Sequence, residues 1–240
     1  MENRKDFLKT IENNISHYGY HITSVISDSQ PRYTYTIGLH QCLGFELIFA
    51  GGIVYMHNEI FEIIGQIVTT LKIDQNQRMF EVNNYGSFEL KNAHKTWTEL
   101  MALGFYDYYE KKNILALQII PDVKHITLDV PDMSEEFNVS SQPVWKFLSG
   151  HWDYPVKIPS KVITDIQFLK GEKITEVMRW EDDEWEAFTE NGNAINEKDV
   201  RVISIATMIA IDPALGIIIN LDIGKGLWRD ESHLIWQEWG

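Results

Sequence analysis

The chain has 240 residues, 44% hydrophobic and 23% charged, with a net charge of −14 and an isoelectric point near 4.9. That length allows one large domain or two modest ones with real cores. The acidity argues against nucleic acid, which needs clustered Lys and Arg, and no apolar run reaches the roughly 18 residues of a membrane-spanning helix. The single cysteine, Cys42, rules out an internal disulfide framework and a cysteine-based zinc site.

The opening MENRKDFLKTIENN is polar and lacks the apolar core of a secretory signal, so a cytoplasmic setting is expected. Phe7, Leu8, Ile11 and Ile15 recur at helical spacing and predict a helix over 4–17. Tyr20 to Ser27 reads as a strand, followed by a turn at Asp28 to Pro31. In PRYTYTIGLHQCLGFELIFAGG the first half alternates and the second is almost solidly apolar. That pattern predicts an outer strand, a turn carrying His40 and Cys42, and a fully covered strand. Glu46 is the one anomaly within the covered strand, because a buried carboxylate needs a partner; Arg32 or a strand-end amide could serve. Ile60 to Leu71 is a helix with a broad apolar face, followed by strands near 78–82 and 86–91, a helix near 97–109 and a buried strand over 114–120.

Pro143, Pro155 and Pro159 exclude a long regular element from residues 133–160, which read as a connector pinned by Trp145, Phe147 and Trp152. Beyond it, strands are predicted over 162–169, 173–180, 184–189, 200–204 and 226–229, with short helices over 205–211 and 213–219. Asp212 and Pro213 suit a helix start. The expected fold class is therefore α+β: two small α+β domains, 1–132 and 161–240, each a mainly antiparallel sheet with helices packed on it, joined through 133–160.

Charge is not evenly divided. There are 11 basic against 16 acidic residues up to Asp132, and 10 against 19 after it. The excess gathers at Glu181, Asp182, Asp183, Glu184, Glu186 and Glu190, with Trp180 and Trp185 bracketing the first four; Trp228, Trp236 and Trp239 follow near the end. These residues read either as a solvated turn or as an acidic face with aromatic anchors for a basic protein, since charge sets association rate and buried aromatics carry affinity. Trp228 is expected to close the C-terminal core. Trp236 and Trp239, among the polar residues Glu231, Ser232, His233, Gln237 and Glu238, are expected at a partly exposed edge.

Competing chemistry is thin. Cys42 shows no base that would make it a nucleophile and reads as a packed turn residue. His57 and Glu59 suit helix capping, and Asp122, His125 and Asp129 suit a polar strand end, although each set could in principle bind a metal. Phosphate-loop, Gly-x-Ser-x-Gly and His-Glu-x-x-His motifs are missing. No metal and no organic cofactor are expected.

Two stretches resemble known families. Asp28, Pro31, Tyr35, Thr36, Gly38, Leu39, Glu46 and Leu47, with Tyr106, Gln118, Pro121 and Asp122, resemble the bacterial family catalogued as domain of unknown function 4262 over about residues 8–132. Phe45 stands where that family has His-Pro and Ile120 where it has Trp; the family brings no settled activity. Arg179, Asp183, Trp185, Asp212, Pro213, Gly224, Trp228, Arg229 and Asp230 are similar to an immunity-type family found beside polymorphic toxins, domain of unknown function 2185. The resemblance implies a toxin-neutralising protein.

The expected function is thus a non-enzymatic acidic binder of the immunity or antitoxin type. The expected partner is a bacterial toxin or effector protein, docked through Trp180, Glu181, Asp182, Asp183, Glu184, Trp185, Glu186, Trp236 and Trp239. Alternatives are a protein-binding component of bacteria–phage conflict, or a small hydrolase using Glu46, His40 and Asp122.

Overall fold

The computed structural model describes residues 4–111, 113–230, 233 and 235–239. It is α+β, with two mainly antiparallel six-stranded sheets and helices packed on them. The chain divides into two compact units, one of Met1–Ile26, Arg32–Ile126 and Val130–Asn138, the other of Ser27–Pro31, Thr127–Asp129 and Val139–Gly240. The stretch 133–160 is therefore shared, passing from the first unit to the second at Val139. No described helix is long and apolar enough to cross a membrane.

The first unit runs α1 (Arg4–Tyr18), β1 (His21–Val25), β2 (Tyr33–Ile37), α2 (His40–Leu43), β3 (Glu46–Ala50), α3 (His57–Leu71), β4 (Met79–Val82), β5 (Gly86–Asn92), α4 (Lys95–Met101), α5 (Leu103–Tyr109) and β6 (Ala116–Pro121). Its sheet has the order β1-β2-β3-β6-β5-β4, with only β3 and β6 parallel. The apolar face of α3, from Ile60 to Leu71, is buried with Leu47, Phe49, Phe88, Leu117 and Ile119. On the other face the Tyr35 ring meets Phe105 of α5 edge-on at 5.1 Å.

Two expectations need correction here. β2 is not an outer strand, because all five of its residues are buried; Thr34 and Thr36 alternate with the tyrosines but are covered as well. The helix expected over 97–109 is broken at Ala102, and Gly104 then lets α5 approach so closely that a Cβ there would lie 2.6 Å from the Tyr35 hydroxyl.

The second unit runs β7 (Lys161–Asp165), α6 (Ile166–Leu169), β8 (Glu176–Arg179), β9 (Glu184–Phe188), β10 (Val200–Ser204), α7 (Ile205–Ile211), β11 (Gly226–Trp228) and β12 (Gln237–Glu238). Tight 3-10 turns form over Pro143–Leu148 and Pro213–Asn220. The sheet order is β10-β7-β9-β8-β11-β12, with β7 and β9 parallel. The strand expected over 162–169 stops at Asp165, whose carboxylate accepts the Gln167 and Phe168 amides and starts α6 instead. The register pairs Val162 with Trp185 and Ile203, and Val177 with Ala187 and Leu227. These six buried side chains form the inner face of the sheet.

Alternation along β11 reverses one expectation about its tryptophan. Leu227 turns inward and Trp228 outward, so Trp228 is partly exposed rather than closing a core. Trp145, by contrast, is fully buried and donates its indole N–H to the Asp129 carbonyl. Glu231 and Ser232 lie outside the described residues.

Trp185 is completely buried, so Trp185→Ala is expected to cost about 3–5 kcal/mol in chemical unfolding. Trp228→Ala, on the outer face, is expected to cost about 1 kcal/mol or less.

Candidate functional site

The first unit places Glu46 at the start of β3 with no solvent exposure. One carboxylate oxygen accepts the Gly38 amide at 2.8 Å, the His40 amide at 2.9 Å and the Tyr109 hydroxyl at 2.5 Å. The other accepts the Thr36 hydroxyl at 2.6 Å, and Thr36 in turn accepts the Leu47 amide. Gly38 has a φ of +117° and a Cβ there would meet Ile15 at 2.9 Å, so only glycine lets its amide turn inward. The expected Arg32 partner points elsewhere, donating to the Tyr55 carbonyl. Tyr109 lies 63 residues from Glu46, and nothing in the local pattern announced it.

Burial pushes the Glu46 carboxyl above the usual carboxylate range, and its four donors pull it part of the way back. The Tyr109 hydroxyl is raised by its own burial and by the neighbouring carboxylate. Tyr109 also walls an open cavity of about 520 Å³ with Glu12, His40, Gln41, Tyr108 and Lys111. Glu46 itself does not line it. The His40 Nδ1 is engaged with the Gly44 carbonyl, and its ring packs edge-on against Tyr109 at 5.5 Å. Cys42 is exposed on α2, not packed in a turn, and its thiol points to the Leu39 carbonyl.

The grouping of Glu46, His40 and Asp122 does not assemble. Glu46 is opposite Ala116 on the parallel strand β6, and Asp122 follows six residues later, about 20 Å away at roughly 3.3 Å per residue. There Asp122 accepts the Ser87 amide at 2.8 Å and pairs with His125 at 2.8 Å. Burial raises the Asp122 carboxyl, but the Ser87 amide, the His125 ring and the Lys124 amide more than offset this and hold it below the usual range. The His125 ring stacks on Tyr55 at 5.9 Å. Asp129 belongs to the second unit. Glu59 caps α3 by accepting the Met56 amide at 2.6 Å, as a capping residue should. Among the described residues, no three His, Cys, Asp or Glu side chains come together in a way that could hold a metal ion.

The second unit sorts the expected partner-binding residues differently. Trp185 is buried, its indole N–H donating to the Ile218 carbonyl at 3.1 Å, so it cannot be an anchor for a partner. The Arg179 guanidinium stacks on that ring at 4.6 Å and donates to the carbonyls of Glu181, Asp182 and Leu221. It thereby shapes the acidic turn. Asp182 is already paired with Lys157 at 2.5 Å, which holds its carboxyl low, while Glu181 and Glu184 are exposed and Asp183 is half-buried. Trp236 covers the buried Arg229, 4.3 Å from its guanidinium, so it too serves the fold.

Trp180 and Trp239 remain exposed, at 46% and 40%, and with Glu186 they line a cavity of about 370 Å³ on the outer sheet face. Glu176, Met178 and Phe188 share that face through the pairs Glu176–Phe188 and Met178–Glu186. Sequence reasoning missed these three, although Glu176, Met178 and Trp180 have one parity along β8.

Replacing Glu46 by Gln puts an amide NH₂ among four donors, and the variant is expected to lose about 1–3 kcal/mol of unfolding free energy. Because burial raises the native carboxyl above its unfolded value, the native state holds that proton more tightly. The Glu46 contribution to stability should therefore be lost as pH rises out of the ordinary carboxylate range, and Glu46→Gln should lack that contribution. Urea unfolding between about pH 4 and about pH 8 checks both, and the gap between the two proteins should narrow as pH rises.

Neither the curated proteins nor the solved structures contain a match to the chain. Residues 14–126, which include all six strands of the first sheet, match the model of the family described as Domain of unknown function (DUF4262).

Proposed function

We propose that this chain is a non-enzymatic acidic binding protein that neutralises a basic bacterial toxin or effector in the cytoplasm by direct protein–protein contact. The observation that carries this reading is the outer face of the second unit. Exposed Trp180 and Trp239 line one cavity with Glu186 of β9, and Trp180 directly precedes the turn of Glu181, Asp183 and Glu184. Exposed carboxylates speed encounter with a basic partner, and partly exposed indoles supply area that gains energy on burial. The resemblance of the Arg179-to-Asp230 stretch to the immunity-type domain of unknown function 2185 supports the finer assignment. In the first unit, Glu46 is fully occupied by structural donors and Asp122 lies at the far strand end, which weighs against the hydrolase alternative.

The test is co-expression with each protein encoded beside this gene. One neighbour should be toxic alone, tolerated with this chain, and purified as a complex whose association slows with added salt. Changing Glu181, Asp183 and Glu184 together to Ser should slow association several-fold at low salt and flatten its salt dependence. Asp182 is left in place because it already serves Lys157. If no neighbour is neutralised, or the triple variant associates at the wild-type rate at low salt, the reading falls.

A further inference from the structure

We infer that the cavity between Trp180 and Trp239 is a receptor for one cationic side chain, a Lys or Arg, on the partner protein. This rests on the reading of the chain as a binder of a basic protein and names the chemistry of its central contact.

Strand parity builds the walls. Glu176 and Met178 of β8 face outward with Glu186 and Phe188 of β9, and Trp180 continues that row. Gly226 of β11 pairs with Met178, and the Trp239 amide donates to the Gly226 carbonyl at 3.2 Å. A Cβ on Gly226 would lie 3.1 Å from the Trp239 ring and 2.8 Å from the Val177 carbonyl, so the glycine is what lets that indole lie flat across the strand. The result is an open bowl of about 370 Å³ lined by the rings of Trp180, Phe188 and Trp239 together with Met178, Glu176 and Glu186.

The charge in the bowl is one-sided. Among the described residues Glu186 has no ion pair and no hydrogen bond to its carboxylate, although it is half-buried. Among the described residues Glu176 accepts only the Gly192 amide, at 3.4 Å. Among the described residues no Lys or Arg lines the cavity. Elsewhere in this unit the chain satisfies its own indoles with guanidinium groups, Arg179 over Trp185 at 4.6 Å and Arg229 over Trp236 at 4.3 Å. Trp180 and Trp239 carry no such cation among the described residues.

A carboxylate without a counter-ion in a partly enclosed site attracts a cation, and so does an indole face within about 6 Å. A Lys or Arg side chain answers both needs, because its alkyl stem covers the rings while its charged end meets Glu186 and Glu176. An anionic or purely apolar ligand would leave the two carboxylates worse off.

Short peptides test the assignment without the partner: acetyl-Gly-Gly-Arg-Gly-Gly-amide, its Lys counterpart, and a norleucine control that keeps the stem and drops the charge. The readout is the indole N–H resonances of ¹⁵N-labelled protein, assigned with Trp180→Phe and Trp239→Phe. The signals of Trp180 and Trp239 should shift saturably with the Arg or Lys peptide and stay in place with norleucine. Glu186→Gln, which keeps the shape of the bowl, should weaken binding about threefold or more, the scale of a partly screened ion pair. Equal shifts with norleucine, no saturable shift, or unchanged affinity in Glu186→Gln would each overturn the assignment. Peptide failure alongside intact, salt-dependent neutralisation of a neighbouring toxin would sink the receptor and leave the proposed function standing. Peptide binding with no neutralised neighbour would do the reverse.

Discussion

Arg179 and Trp185 form the contact on which the second unit's surface depends. The indole is buried on the inner sheet face and anchored through its N–H, and the guanidinium lies over its ring at 4.6 Å. Stacking leaves the planar donors of Arg179 free to point sideways, where they gather the carbonyls of Glu181, Asp182 and Leu221. A turn rich in like charges would resist such a compact shape on its own. One internal cation, together with the Lys157 pair to Asp182, holds it. The carboxylates left facing water are therefore displayed from an ordered frame.

The first unit handles buried charge by a different route. Among the described residues Glu46 has no counter-ion in its shell, only hydrogen-bond donors, two of them backbone amides from the Gly38–His40 bend. The same carboxylate thus ties β2, the start of α2 and the end of α5 to the first residue of β3. Its role is architectural, and the cost of its burial explains why the site needs so many partners. Asp165 plays a similar part in the second unit, accepting from Gln167, Phe168 and Thr189 and so ending β7.

The outer face of the second sheet follows the opposite principle. Its inner face is apolar and closed, whereas the outer face alternates Glu with Met, Phe and Trp and leaves Glu186 without a partner among the described residues. Large rings beside unneutralised carboxylates suit a surface that another molecule completes.

Much of this architecture was legible along the chain. Helical spacing marked α1 and α3, and solid apolar runs marked β3 and β6. Those features arise from residues close in sequence, whose periodicity reports local geometry directly. Glu46 was visible as an anomaly for the same reason. Its Tyr109 donor was not, because a contact across 63 residues leaves no local trace. The tryptophans make the division plainest. Trp180 and Trp185 look alike in sequence, as do Trp228, Trp236 and Trp239, but composition says nothing of which ring turns inward. Register across β8, β9 and β11, and the position of two arginines, buried Trp185, spent Trp236 on Arg229 and left Trp180 and Trp239 around an acidic bowl. Local pattern along the chain marked most of the elements, the two sheets and the sign of the charge; strand pairing between distant segments decided which of those residues meet, because a one-residue change of register would exchange the two faces.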